Sequence, residues 1–100
     1  MEVEILKQEN SVTAKLIGRL DTIASPEVAK ALEPLKEVAD KKIILDCSQM
    51  EYISSSGLRI FLSLRKEATI KRGTIVVKDI NEDIRKVFMI TGFLNLFEIA

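Results

Sequence analysis

The sequence of 100 residues contains no histidine and a single cysteine, and these two shortages remove most site chemistry at once. Without an imidazole there is no Ser-His-Asp triad, no histidine metal ligand and no base that titrates near neutrality. The lone Cys47 has no partner for an internal disulfide, and without histidine only carboxylates remain to hold zinc, so no metal or other cofactor is expected. Its apolar setting reads as that of a small buried hydrophobe. An excess of one charge is missing too: 15 Lys and Arg balance 15 Asp and Glu. No basic field argues for nucleic acid or an acidic membrane surface, which leaves a protein as the expected partner. The longest unbroken apolar run is "VFMI", and the acidic start "MEVEILKQEN" lacks the basic and apolar regions of a secretory signal. These features predict a cytoplasmic chain with no membrane insertion.

What is present suffices for one domain, residues 1–100, with 47% hydrophobic residues to build a core. Val3 and Ile5, then Val12, Ala14 and Leu16, alternate with mostly polar neighbours, which predicts two antiparallel strands joined at "KQENS", with Gly18 ending the second. A helix follows, with Ser25 as its expected cap, Pro26 in first place and Val28, Ala31, Leu32, Leu35 and Ala39 along one face. Pro34 predicts a kink or an early stop. Consecutive Ile43, Ile44 and Leu45 predict a central strand buried on both faces. The next helix is expected from about Ser56 to Ala68, with Leu58, Ile60, Phe61, Leu62 and Leu64 on its apolar face and Gly73 terminating it. Thr74–Val77 reads as a strand, and "NEDIRKVFMITG" as a helix capped by Asn81 and stopped at Gly92. The order is ββαβαβα, with a possible short final strand within Leu96–Ala100. It implies an α/β fold with helices on a mixed sheet of four to five strands, since each strand-helix-strand unit requires parallel pairing.

Chemistry concentrates in "SQMEYISSSG", read as the loop from the central strand into the second main helix, with Met50 and Ile53 spaced to pin it to the core. Such strand-to-helix loops gather backbone N–H groups. One of Ser54, Ser55 and Ser56 suffices to cap the helix. A phosphoserine here would add close to two negative charges at a helix end that tolerates anions, leaving the fold intact while altering any interface above it. A nucleophile elbow would need G-x-S-x-G and a histidine, and phosphate cradles would need P-loop or dinucleotide glycines; none is present. The basic group Arg65, Lys66, Lys71 and Arg72 is a solvated helix end diluted by Glu67, and Phe61 and Phe88 fall at core positions rather than on a stacking surface. No enzymatic activity is expected.

The segments "GRLDT", "IILDCSQMEYISSSGLRIFLSLRK" and "VFMITGFLNLF", in this order and spacing, resemble bacterial anti-sigma factor antagonists of the STAS domain type over nearly the whole chain. The resemblance implies a small mixed sheet flanked by helices. It also implies binding to an anti-sigma factor with serine kinase activity, displacing a sigma factor, and inactivation when that kinase phosphorylates one serine. A metal-dependent serine phosphatase would reverse the modification. Motif against motif, the acceptor falls on Ser55, two places before Gly57, with Ser54 and Ser56 competing for the role. Asp21 matches an acidic position near that loop in relatives, although alone it reads as a turn residue. The implied partner surface comprises Asp21, Thr22, Ser54, Ser55, Ser56, Gly57, Leu58 and Arg59. Two departures stand out: Ser54 occupies a place where many relatives carry Asp, and the sequence given ends at Ala100, where many continue into another helix. The alternative is a STAS scaffold or adaptor that works without phosphorylation, in a stress-signalling or membrane transport complex.

Overall fold

The computed structural model describes residues Met1–Ala100. Strands β1 (Glu2–Lys7), β2 (Ser11–Leu20), β3 (Lys42–Ile53), β4 (Thr74–Lys78) and β5 (Glu98–Ile99) form one sheet in the spatial order β1-β2-β3-β4-β5. β1 and β2 pair antiparallel, as a hairpin must, and the remaining pairs are parallel. Helices α1 (Ser25–Leu32), α2 (Ser55–Ile70) and α3 (Glu82–Thr91) make the crossovers. Each crossover steps the same way across the sheet, so right-handed connections deliver all three helices to the same side.

Burial follows from that one-sided arrangement. Val12, Ala14 and Leu16 of β2, Ile43, Leu45 and Cys47 of β3, and Ile75 and Val77 of β4 join one apolar cluster with Val28, Leu32, Leu58, Phe61, Leu64, Ile84 and Phe88 of the helices. The intervening Thr13, Lys15, Ile44 and Asp46 point the other way and are half-buried. The expectation that β3 is buried on both faces is therefore corrected: β3 is central, but only one of its faces lies under helices.

Several boundaries also differ from the sequence expectation. Gly18 does not end β2; its φ of +104° accommodates a register shift beside Arg19, and the strand continues to Leu20. β3 absorbs most of the expected loop, because Gln49, Met50, Tyr52 and Ile53 pair with Ile17, Gly18, Arg19 and Leu20. Pro34 acts by the early stop: α1 ends at Leu32 and a 3₁₀ segment, Glu33–Val38, carries Leu35 into the core. Ser25 is the first helical residue, with Ala24 at the cap position. Leu62 of α2 faces solvent. Asn81 and Gly92 cap and stop α3 as expected, the former accepting from the Ile84 N–H at 2.8 Å and the latter at φ +80°.

Candidate functional site

The three serines have three different environments. Ser54 is the cap of α2: its backbone is extended, its Oγ accepts from the Gly57 N–H at 3.2 Å, and its carbonyl accepts from the Leu58 N–H at 2.9 Å. Its own N–H donates to the Leu20 carbonyl at 2.8 Å, which ties the mouth of α2 to the end of β2. With both its hydroxyl and its backbone engaged, Ser54 is 7% exposed. Ser55, the first residue of the helix, is exposed, and its hydroxyl makes no hydrogen bond within the protein. Ser56 is half-buried. Capping and availability thus fall on different residues.

Gly57 fixes how closely this mouth sits on the sheet. A Cβ there would lie 2.7 Å from Leu20 Cγ and 2.9 Å from Ile53 Cγ1, inside any tolerable contact. Leu58 follows it into the core at 7% exposure. Of the residues expected on a partner surface, Ser54, Gly57 and Leu58 therefore point inward and hold the backbone, while Ser55 and Arg59 face out and Ser56 lies at the margin.

The Leu20–Ser54 hydrogen bond also brings the Asp21 turn alongside. Asp21 Oδ1 accepts from the Ala24 N–H at 2.9 Å, and its carbonyl accepts from both the Ser25 N–H and the Ser25 hydroxyl, at 3.0 and 2.8 Å. Asp21 thereby supplies the α1 start with the acceptor that Ala24 lacks. Thr22 and Ile23 stand at the tip, exposed, Ile23 at 89%. A hollow of about 470 Å³ lies beside them, lined by Met1, Arg19, Asp21, Ile23, Ala24 and Glu27.

Three features here escaped the sequence reading. Ile23 is an almost fully exposed apolar side chain at the tip of the Asp21 turn; its position in "DTIAS" was visible, but the direction it faces was not. The Arg19 guanidinium lies 4.5 Å from the centre of the Tyr52 ring, a cation–π contact made possible by the bulged β2–β3 register. Nothing in the linear spacing brings these two together. Finally, the one carboxylate with a shifted titration lies away from the serines. Partial burial of Asp46 opposes its ionisation, but hydrogen bonds from the Ser48 backbone and hydroxyl, with Lys78 and Lys15 nearby, win and hold its carboxyl below the ordinary 3.8.

The STAS domain family model matches residues 2–100. The chain belongs to the STAS domain family. Among curated relatives, this STAS chain is 27% identical to the anti-sigma-B factor antagonist of Bacillus subtilis, an alignment that spans 100% of the chain and 91% of that protein. Solved structures of SpoIIAA share its fold. The unphosphorylated form matches at TM-score 0.76 and 18% identity, covering 99% of this chain and 87% of the other. The phosphorylated form, from Bacillus, matches at 0.75 and 20%, covering 99% and 91%.

Proposed function

We propose that this STAS domain, residues 1–100 acting as one unit in the cytoplasm, is an anti-sigma factor antagonist and not an enzyme. Its partner is an anti-sigma factor with serine kinase activity, whose capture releases a sigma factor, and phosphorylation of Ser55 ends that capture. One observation carries the reading: Ser55 is exposed and unbonded at the first position of α2, while its neighbour Ser54 does the capping. A phosphate on Ser55 Oγ therefore breaks no internal contact. It would sit at the positive end of the helix, which favours an anion by about 0.3–1 kcal/mol, so the fold has no reason to change. The cost falls on whatever protein surface has to cover the added charge.

On this reading Thr22, Ser55, Ser56 and Arg59 touch the partner, with Ile23 as an apolar anchor and Asp21 shaping the turn, while Ser54, Gly57 and Leu58 hold the surface from beneath. Restoration falls to a metal-dependent serine phosphatase, for which an exposed helix-terminal phosphoserine is accessible. Incubation with the cognate anti-sigma kinase and ATP, followed by mass-spectrometric site mapping, should place the phosphate on Ser55. Ser55→Ala should keep partner affinity and block labelling, whereas Ser55→Asp should weaken binding by about tenfold, roughly 1.4 kcal/mol. Absence of phosphate from all three serines, or full-strength binding by Ser55→Asp, would defeat the switch and favour a phosphorylation-independent adaptor.

A further inference from the structure

The helix-free face of the sheet shows an ordered pattern that the proposed switch does not use. In register across β1 to β4 run Leu6, Thr13, Ile44 and Val76, an apolar row broken only by a threonine; the next row reads Glu4, Lys15, Asp46 and Lys78. Leu6, on the edge strand β1, is 59% exposed, and Ile44, on the central strand β3, is half-buried on the face that no helix covers. A hollow of about 350 Å³ opens on the β1–β3 side, lined by Glu4, Leu6, Thr13, Lys15 and Asp46 among others, whereas Val76 on the far side, beside Glu98 of β5, is only 4% exposed.

The charge row alternates in sign as minus, plus, minus, plus. Such an order complements its own reverse. We propose that this face is the contact between two copies of the chain, packed sheet to sheet about a two-fold axis that runs parallel to the strands between β2 and β3. That operation reverses strand order across the interface, setting Glu4 against Lys78 of the second copy and Lys15 against Asp46. It also stacks the two apolar rows, Leu6 over Val76 and Thr13 over Ile44, and brings the Lys78 side of one copy over the hollow of the other. An axis along the row would instead oppose like charges at all four positions, so the charge order selects a single arrangement. Aligned packing of this kind is the ordinary geometry of stacked sheets, and a two-fold contact uses the same patch on both partners.

Four strands about 4.8 Å apart make a patch only about 20 Å wide, which belongs to the weak, small-interface class. Ser55 and Arg59 lie on the helix side of the sheet, so the pair would display two free switch surfaces.

Sedimentation equilibrium of the full chain at low salt, from about 10 µM to about 1 mM, should show mass rising from one copy toward two, and added salt should reverse the rise. Lys15→Glu and Asp46→Lys should each lose association by tenfold or more. Mixed in equal amounts, the two variants should associate with each other, because each supplies the charge that the other's row has lost. A folding defect in either variant could not be repaired by mixing. A mass of one copy throughout the wild-type series, association that survives either single change, or a mixture no more associated than its components would overturn the proposal. Ser55→Asp should leave the mass unchanged, so failure here is separate from failure in the kinase assay.

Discussion

Ser54 and Ser55 are adjacent and chemically identical, yet they predict opposite outcomes. Ser54→Ala removes the acceptor for the Gly57 N–H at the helix mouth and should lower stability by about 1 kcal/mol. Ser55→Ala deletes an exposed hydroxyl and should stay within about 0.5 kcal/mol of the parent; urea unfolding of the two variants measures the difference. Asp46 gives a prediction in pH. Its carboxyl in the folded chain titrates below 3.8, so the stability it contributes is fully present above that value and is lost as pH falls through the lower folded value. Asp46→Asn should flatten this part of the acid limb in denaturation midpoints taken from pH 5 downward, while a parallel profile would show that the carboxylate is not responsible. Glycines were legible as punctuation but not in their reasons. Gly73 was expected to terminate α2, yet the left-handed residue there is Arg72 at φ 60°. Gly73 is required because a Cβ would meet the Ala39 carbonyl oxygen at 1.8 Å, a contact between segments far apart in sequence.

At the scale of elements, periodicity explains both the successes and the misreading. β2 buries Val12, Ala14 and Leu16 at a spacing of two, the pattern that identified it. β3 begins the same way, but its later buried residues are Cys47, Met50 and Ile53. Two register shifts, each placing one extra residue in β3, lengthen the spacing to three. A strand with that spacing reads as a loop until its partner's register is known. The α2 junction was legible because its signals are local: a serine cap, a helical apolar spacing and a glycine. Gly57→Ala tests how tightly that junction is seated. Alanine would gain up to about 1 kcal/mol of helix propensity, but forcing a methyl against Leu20 and Ile53 costs about 1–3 kcal/mol. A net loss on the order of 1 kcal/mol is expected in thermal or urea unfolding, and a stabilised variant would mean that the helix mouth moves away freely.

For the whole molecule, the aromatic residues at the far end join elements that share no local sequence. Phe88 packs edge-on to Phe61 and Phe93, with centroids 6.3 and 5.6 Å away, and is tilted against Phe97 at 6.2 Å. It is fully buried and links α2, α3 and the 3₁₀ turn Phe93–Asn95 before β5. Phe88→Ala should cost about 3–5 kcal/mol, read as a lowered unfolding midpoint with one cooperative transition. A loss below about 1 kcal/mol would show that this end collapses around the gap. Cys47 belongs to the same interior: burial, with Asp46 and Asp79 adding to it, pushes its thiol up to about 12. It is therefore a packing residue at neutral pH.

By itself the sequence determined the element order, the mixed sheet, a break in the first helix at Pro34, a cap for α2 from one of three serines and the Asn81 cap of α3, because caps, breakers and apolar spacing act over a few residues. It also determined that no histidine chemistry operates. Tertiary structure alone decided which serine caps and which is free, which way Ile23 faces, that Arg19 meets Tyr52, and that one face of the sheet stays open. These outcomes depend on strand register and on the common direction of three crossovers, which are fixed only when distant segments pack together.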